Sequence, residues 1–264
     1  MKKNFLKKAL AILFACCMLF GGAVSASAAD EITFNPDDLN TWYSSSIPLW
    51  EEVNPDVRAW LRIPNTNINW PIVIGPDNLY YNSLGYDKKY SKNGVLWAGS
   101  GVRFGDAESV SSNTVIFGHN WTNYSANPAI ARSSDIMFGQ LTSFHHLSFA
   151  QATPYIQYST PESDMIYVVF AAFYTDLNFR YIYENPDEEY LAYMISEARE
   201  RSLHDYAVEV DSTDKLLTLS TCTRAYGKRE DQRFVVMARQ LRAGEDASVA
   251  PAITANTDFK APQF

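Results

Sequence analysis

The chain has 264 residues, 47% of them hydrophobic and 20% charged, an ordinary globular composition with ample length for a buried core. About 100–200 residues per domain allows one domain with additions, or two small ones. The formal net charge of −8 speaks against a nucleic-acid binder, which carries a basic face.

Lys2, Lys3, Lys7 and Lys8 precede an apolar run from Ala9 to Val24, and Ser25-Ala26-Ser27-Ala28-Ala29 supplies small residues at the −3 and −1 positions of a signal-peptidase site. That order is the pattern of a secretory signal. The run is about 16 residues, short of the roughly 20 of a spanning helix, and the alternative is an uncleaved N-terminal anchor. In either case residues 30–264 lie outside the cytoplasmic membrane, with the lysines facing inward. Cys16 and Cys17 fall inside the run. A lipoprotein reading of Leu13-Phe14-Ala15-Cys16 suffers from bulky Phe14 and from the apolar residues that follow. Cys222 is thus the only cysteine of the exported chain, without an intramolecular partner: either buried and inert or kept for its reactivity.

After a polar stretch from Asp30 to about Ser46, residues from Leu39 to Val53 carry aromatic and apolar side chains at loose helical spacing, and Asn54-Pro55-Asp56 punctuates them. Short strands follow: Ala59–Ile63, Ile68–Ile74, Gly94–Ala98, Thr114–Gly118, Pro154–Tyr158, Met165–Tyr174, Lys215–Ser220 and Phe234–Gln240. Bounded by Gly, Pro, Asn and Asp, they predict a barrel or sandwich. One helix interrupts them, with Asp187-Glu188-Glu189 in its first turn and Tyr190, Leu191, Met194, Ile195 and Ala198 at a 3–4 residue period. Phe138–Leu147 reads as a second short helix. The segment 243–264, rich in Ala, Thr, Asp and Pro without a clean period, reads as disordered.

Chemistry-bearing residues gather where apolar strands turn polar. Leu216-Leu217-Thr218-Leu219-Ser220-Thr221-Cys222 places a thiol at a strand terminus, facing a cleft while the strand holds the backbone still. A thiol attacks as thiolate and needs a cation or base nearby. Arg224, Lys228, Arg229 and Arg233 follow it. Arg233 opens the next strand, while Arg224 and Arg229 sit in a polar loop where solvated charges need no special explanation. A guanidinium gives two parallel hydrogen bonds to a carbonyl or oxyanion. His119 ends Val115-Ile116-Phe117-Gly118 and is able to protonate a leaving amine. His145, His146 and His204 follow no apolar strand. No Cys pair or His-x-x-x-His spacing suggests a metal, and Gly99-Ser100-Gly101 is too short for a phosphate loop. No cofactor is expected.

Thr218-Leu219-Ser220-Thr221-Cys222-Thr223, with Arg233 on the next strand, resembles the Thr-Leu-x-Thr-Cys signature of the sortases, and Phe117-Gly118-His119 resembles their Gly-His pair. Asn54-Pro55-Asp56-Val57, Trp60-Leu61-Arg62-Ile63-Pro64, Ile68-Asn69-Trp70-Pro71-Ile72-Val73 and Asp77-Asn78-Leu79-Tyr80-Tyr81, together with the helix before the Cys strand, are similar to the class B branch. The resemblance spans roughly Leu49 to Leu241. It implies an eight-stranded β-barrel with flanking helices within a catalytic domain of residues 30–242. It implies an enzyme that cleaves the sorting signal of a secreted protein and passes the acyl group to an amine of peptidoglycan or, alternatively, to a pilin lysine. Cys222 is then the nucleophile, His119 the acid and base, and Arg233 the holder of the carbonyl and oxyanion. Asn78, Leu96, Tyr181, Ser220 and Thr221 are implied substrate contacts. Asn120 either orients the imidazole or is a plain loop asparagine. The non-enzymatic alternative is a secreted binding module with a structural Cys222. A papain-like hydrolase would place Cys before His, the reverse of the order here.

Overall fold

The computed structural model describes residues 32–264. The segment read as a signal or anchor, with Cys16 and Cys17, lies outside them. Eight strands close into a barrel: β1 (Val57–Arg62), β2 (Asn69–Ile74), β3 (Leu96–Ala98), β4 (Asn113–Phe117), β8 (Leu216–Cys222), β9 (Arg233–Gln240), β6 (Asp164–Thr175) and β5 (Tyr155–Ser159), in that spatial order. β5 returns to pair with β1, so every strand of the barrel has two neighbours and no edge is left open. Most neighbours are antiparallel, but β2 with β3 and β4 with β8 run parallel. β4, β5, β6, β8 and β9 are buried along nearly their whole length, because helices and loops cover the outside of the barrel there. In β8 every residue from Leu216 to Thr221 is buried and Cys222 alone is exposed. That is why these strands read as continuous apolar runs rather than as alternating ones.

The N-terminal region holds a 3₁₀ turn (Pro36–Asn40) and α1 (Ile47–Glu51). A separate cluster of Ile47, Val57, Trp60, Val73, Tyr81, Val95 and Trp97 fixes it to the barrel. Tyr43 stacks on Trp60 at 4.8 Å, and Asn69 accepts from Trp60 Nε1 and donates to the Tyr43 hydroxyl. The stretch around Phe138 is a 3₁₀ segment, Met137–His145, followed by α2 (Leu147–Ala152).

α3 (Glu188–Arg201) is capped by Asp187, whose carboxylate accepts from Tyr190 N. Acids fill its first turn and Arg199 and Arg201 its last, as the helix dipole favours. Leu191, Met194, Ile195 and Ala198 are buried; the three larger ones contribute about 1.5–3 kcal/mol each.

The segment read as disordered is different in the structure. Ile253–Ala255 forms β10, antiparallel to β7 (His204–Tyr206). Ile253 is buried, and Asn256 bonds to Leu203 and Ser202. A three-residue strand with one inward side chain carries no periodicity, so composition alone suggested a free tail.

Candidate active site

The parallel pairing of β4 with β8 sets Phe117 opposite Ser220. Gly118 N donates to Ser220 O at 3.3 Å, and Thr221 Oγ1 donates to Gly118 O at 2.7 Å. His119 therefore leaves the barrel at the same end as Cys222, although 103 residues separate Gly118 from Thr221. A side chain at Gly118 would put its Cβ 2.4 Å from Leu96 Cδ2 and 2.8 Å from the Phe138 ring. The Gly-His pair has a steric origin: only glycine lets the strand end press onto the core and swing the imidazole outward.

His119 is half-buried between two indoles, Trp97 at 5.6 Å and Trp121 at 5.0 Å between ring centres. Its Nε2 lies 2.6 Å from the backbone oxygen of Asn82. A carbonyl only accepts, so Nε2 carries the hydrogen and Nδ1 is the nitrogen left to exchange protons. Gly94, at φ +60°, lies so close that a Cβ there would stand 3.0 Å from His119 Cδ2. Trp121 is anchored in turn by Nε1 donating to Lys92 O at 3.0 Å. Asn120 does not reach the imidazole. It is buried and exchanges hydrogen bonds with the Asn123 backbone.

β8 and β9 pair antiparallel with Cys222 directly opposite Arg233. The thiol is exposed and Arg233 half-buried. Arg233 Nη1 donates to the carbonyls of Glu230 and Gln232 at 2.8 and 2.9 Å. Among the described residues no other nitrogen of this guanidinium takes a protein acceptor, which leaves Nε and Nη2 for a ligand. The competing arginines are engaged elsewhere: Arg229 in a paired contact with Asp231, Arg224 over the Tyr124 ring at 5.3 Å. The loop after Cys222 is pinned where Arg224 N and Thr223 Oγ1 both donate to Tyr124 O.

The implied substrate contacts divide. Tyr181 is buried, and its hydroxyl meets Ser220 Oγ at 2.8 Å. Burial pushes the phenol up to about 12; the Ser220 hydrogen bond and the Arg233 charge pull the other way, and Cys222 adds to the rise. Tyr181 and Ser220 thus form a buried floor near the thiol and guanidinium. Thr221 is buried with its hydroxyl spent on Gly118 O. Leu96 is wholly buried in the core, a correction to its reading as a contact: its role is to support Gly118 from below. Asn78 is half-buried and takes Ser100 N on its side chain and Trp97 Nε1 on its carbonyl, so it braces the loops beside an indole that touches His119.

Asn113, fully buried at the start of β4, joins these pieces. Its Nδ2 donates to the carbonyls of Tyr181 and Tyr183, and its Oδ1 accepts from Thr218 Oγ1 at 2.6 Å. Sequence reading missed Asn113, Trp97, Trp121 and the Asn82 carbonyl. A buried amide hub and a backbone acceptor have no signature in one sequence, though Trp121, just after the Gly-His pair, was visible. Among the described residues no group of three or more His, Cys, Asp or Glu is arranged to hold a metal ion.

The Sortase domain model matches residues 61–241. Sortase B of Staphylococcus aureus is 25% identical over 196 residues, covering 73% of each chain. Sortase B of Listeria monocytogenes is 26% identical over 237 residues, covering 83% of this chain and 91% of its own. Among solved structures, Clostridium perfringens sortase B superposes with a TM-score of 0.63 at 25% identity, covering 74% of this chain and 99% of that one. A Staphylococcus aureus sortase B–substrate complex shares the fold with a TM-score of 0.65 at 21% identity, over 79% of this chain and 94% of that one. With the barrel and these matches in hand, the chain belongs to the sortase family and is a sortase B-like cysteine transpeptidase.

Proposed function

We propose that the enzyme acts outside the cytoplasmic membrane, cleaves a C-terminal sorting signal of secreted proteins and joins the new acyl end to a peptidoglycan amine. The carrying observation is the pairing of an exposed Cys222 with Arg233 across β8 and β9, at the barrel end where His119 emerges. The Cys222 thiolate attacks the scissile carbonyl, and a bond forms between Sγ and carbon. Arg233 holds the oxygen as charge moves onto it. The carbon–nitrogen bond breaks, and the leaving amine takes a proton from His119 Nδ1, Nε2 keeping its own for Asn82. An incoming amine then attacks the thioester, gives its proton to Nδ1 and expels the thiolate. The chemistry of the related proteins is compatible: Staphylococcus aureus sortase B has been solved with a substrate, and a sortase B has been solved with triglycine. The N-terminal segment either holds the enzyme at the membrane or is removed.

The test is to incubate the full chain with a sorting-peptide library and two nucleophiles, a cell-wall-type peptide amine and a pilin-type lysine peptide. Mass spectrometry of acid-quenched samples should find the acyl group on Cys222. Cys222→Ala should fold normally and neither cleave nor transfer. Turnover by that variant refutes the mechanism, and transfer to lysine alone reassigns the acceptor.

A further inference from the structure

The chain beyond β10, though largely exposed, folds back onto the body. Lys260 N donates to Glu200 O at 2.7 Å, and its ammonium pairs with Glu197 and Glu200 of α3. Farther on, the Phe264 ring lies 5.5 Å from Tyr226 and beneath the Arg229 guanidinium at 5.1 Å. Both residues belong to the nine-residue loop Arg224–Gln232, which together with Thr223 connects Cys222 to Arg233.

That loop is held at its base by Tyr124 O and by turn bonds such as Gly227 N to Arg224 O. Gln232, buried, clasps it by accepting from Tyr226 N and donating to Gly227 O, each at 2.8 Å. Tyr226 packs its edge on Tyr174 at 5.7 Å. Most other loop residues are exposed. Yet the loop supplies the Glu230 and Gln232 carbonyls that hold Arg233 Nη1. A guanidinium aimed by loop carbonyls points only as steadily as the loop stands still.

We propose that the segment 258–264 is a strap that steadies this loop, and that Phe264 is a positioning residue for Arg233, acting through Arg229 and Tyr226. The strap is moored on α3 by Lys260 and touches the loop at Tyr226 and Arg229. The inference rests on the role assigned to Arg233 above.

The experiment compares Phe264→Ala, Phe264→Tyr and Arg233→Ala in the full chain. Three readouts apply: transfer kinetics with a sorting peptide, hydrogen exchange of the 224–232 amides, and alkylation of Cys222 by iodoacetamide. Loss of a ring in contact with a cation and an aromatic predicts about tenfold faster loop exchange and a fall of about tenfold in kcat/KM for Phe264→Ala. Phe264→Tyr keeps the ring and should stay within about twofold of the parent. Alkylation should be unchanged in both, because Cys222 is fixed by β8. Parent-like or raised transfer in Phe264→Ala overturns the proposal, as does a loss that tracks slowed alkylation without faster loop exchange. Full activity of Arg233→Ala would instead strike the assignment of Arg233, a separate failure.

Discussion

Replacing Asn113 probes how the barrel holds the floor of the site. Its wholly buried side chain makes three hydrogen bonds, two given to the Tyr181 and Tyr183 carbonyls and one taken from Thr218. At about 1 kcal/mol net each, Asn113→Ala should cost about 3 kcal/mol. For a body of 150–250 residues each kcal/mol lowers Tm by about 2–4 °C, so the expected fall is about 6–12 °C. Asn113→Asp is nearly isosteric but replaces both donors with an acceptor facing two carbonyl oxygens. Its folded-state pKa should rise above the unfolded value of about 3.9, so the folded state binds the proton more tightly. Stability is then retained below that unfolded value and lost as pH rises through the raised folded one. Calorimetric melts across the acid-to-neutral range should show the gap from the parent widening with pH for Asn113→Asp and staying level for Asn113→Ala. A Tm for Asn113→Ala within about 2 °C of the parent, or a gap for Asn113→Asp that narrows toward neutral pH, would refute the reasoning.

Arg233→Lys should lower kcat/KM by about 100-fold or more in the transfer assay, since one ammonium does not reproduce the planar fork; Arg229→Ala, whose partners are Asp231 and Phe264, should cost no more than about tenfold. Gly118→Ala should destabilise by about 1–3 kcal/mol through overpacking against Leu96 and Phe138, seen as a lower denaturant midpoint, and should depress activity by displacing His119. His145 is held down to about 4, first by burial and then by the neighbouring His146 and His204, and its Nδ1 faces the Tyr174 hydroxyl. The folded pKa lies below the ordinary histidine value of 6.5. As pH falls through that window the unfolded chain takes a proton that the folded one refuses, and stability drops. Thermal melts of His145→Gln should show a shallower decline over that range; an identical decline would exonerate His145.

Features set by one residue or one strand end are readable from the chain. The change from Leu219 to Cys222, or from Ile116 to His119, marks where a strand stops being covered. Strand count and the amphipathic period of α3 are local as well. Burial at the strand end is less readable. Ser220, Thr221 and Leu96 belong to motifs that suggest contact with substrate, yet loops and helices cover both faces of their strands. A polar residue there satisfies a neighbour, as Thr221 satisfies Gly118 O, with no sequence sign of it. The supports of His119 are harder still, because one is a backbone oxygen and two are indoles brought in from β3 and from a loop. β10 escaped because its stability comes from β7 and α2 rather than from its own composition.

The two parallel pairings have a further consequence, for folding kinetics. Parallel neighbours cannot be joined by a tight turn, so β4 must find β8 across about a hundred residues, and the antiparallel closure of β1 on β5 spans a similar gap. Such distant closures cost chain entropy before they return contacts, and they slow folding. The thiol and Arg233 come together early, on one hairpin; the imidazole joins them only when the barrel shuts. Assembly of the three side chains is therefore a late event, and a chain waiting to fold carries a cysteine and an arginine without the imidazole.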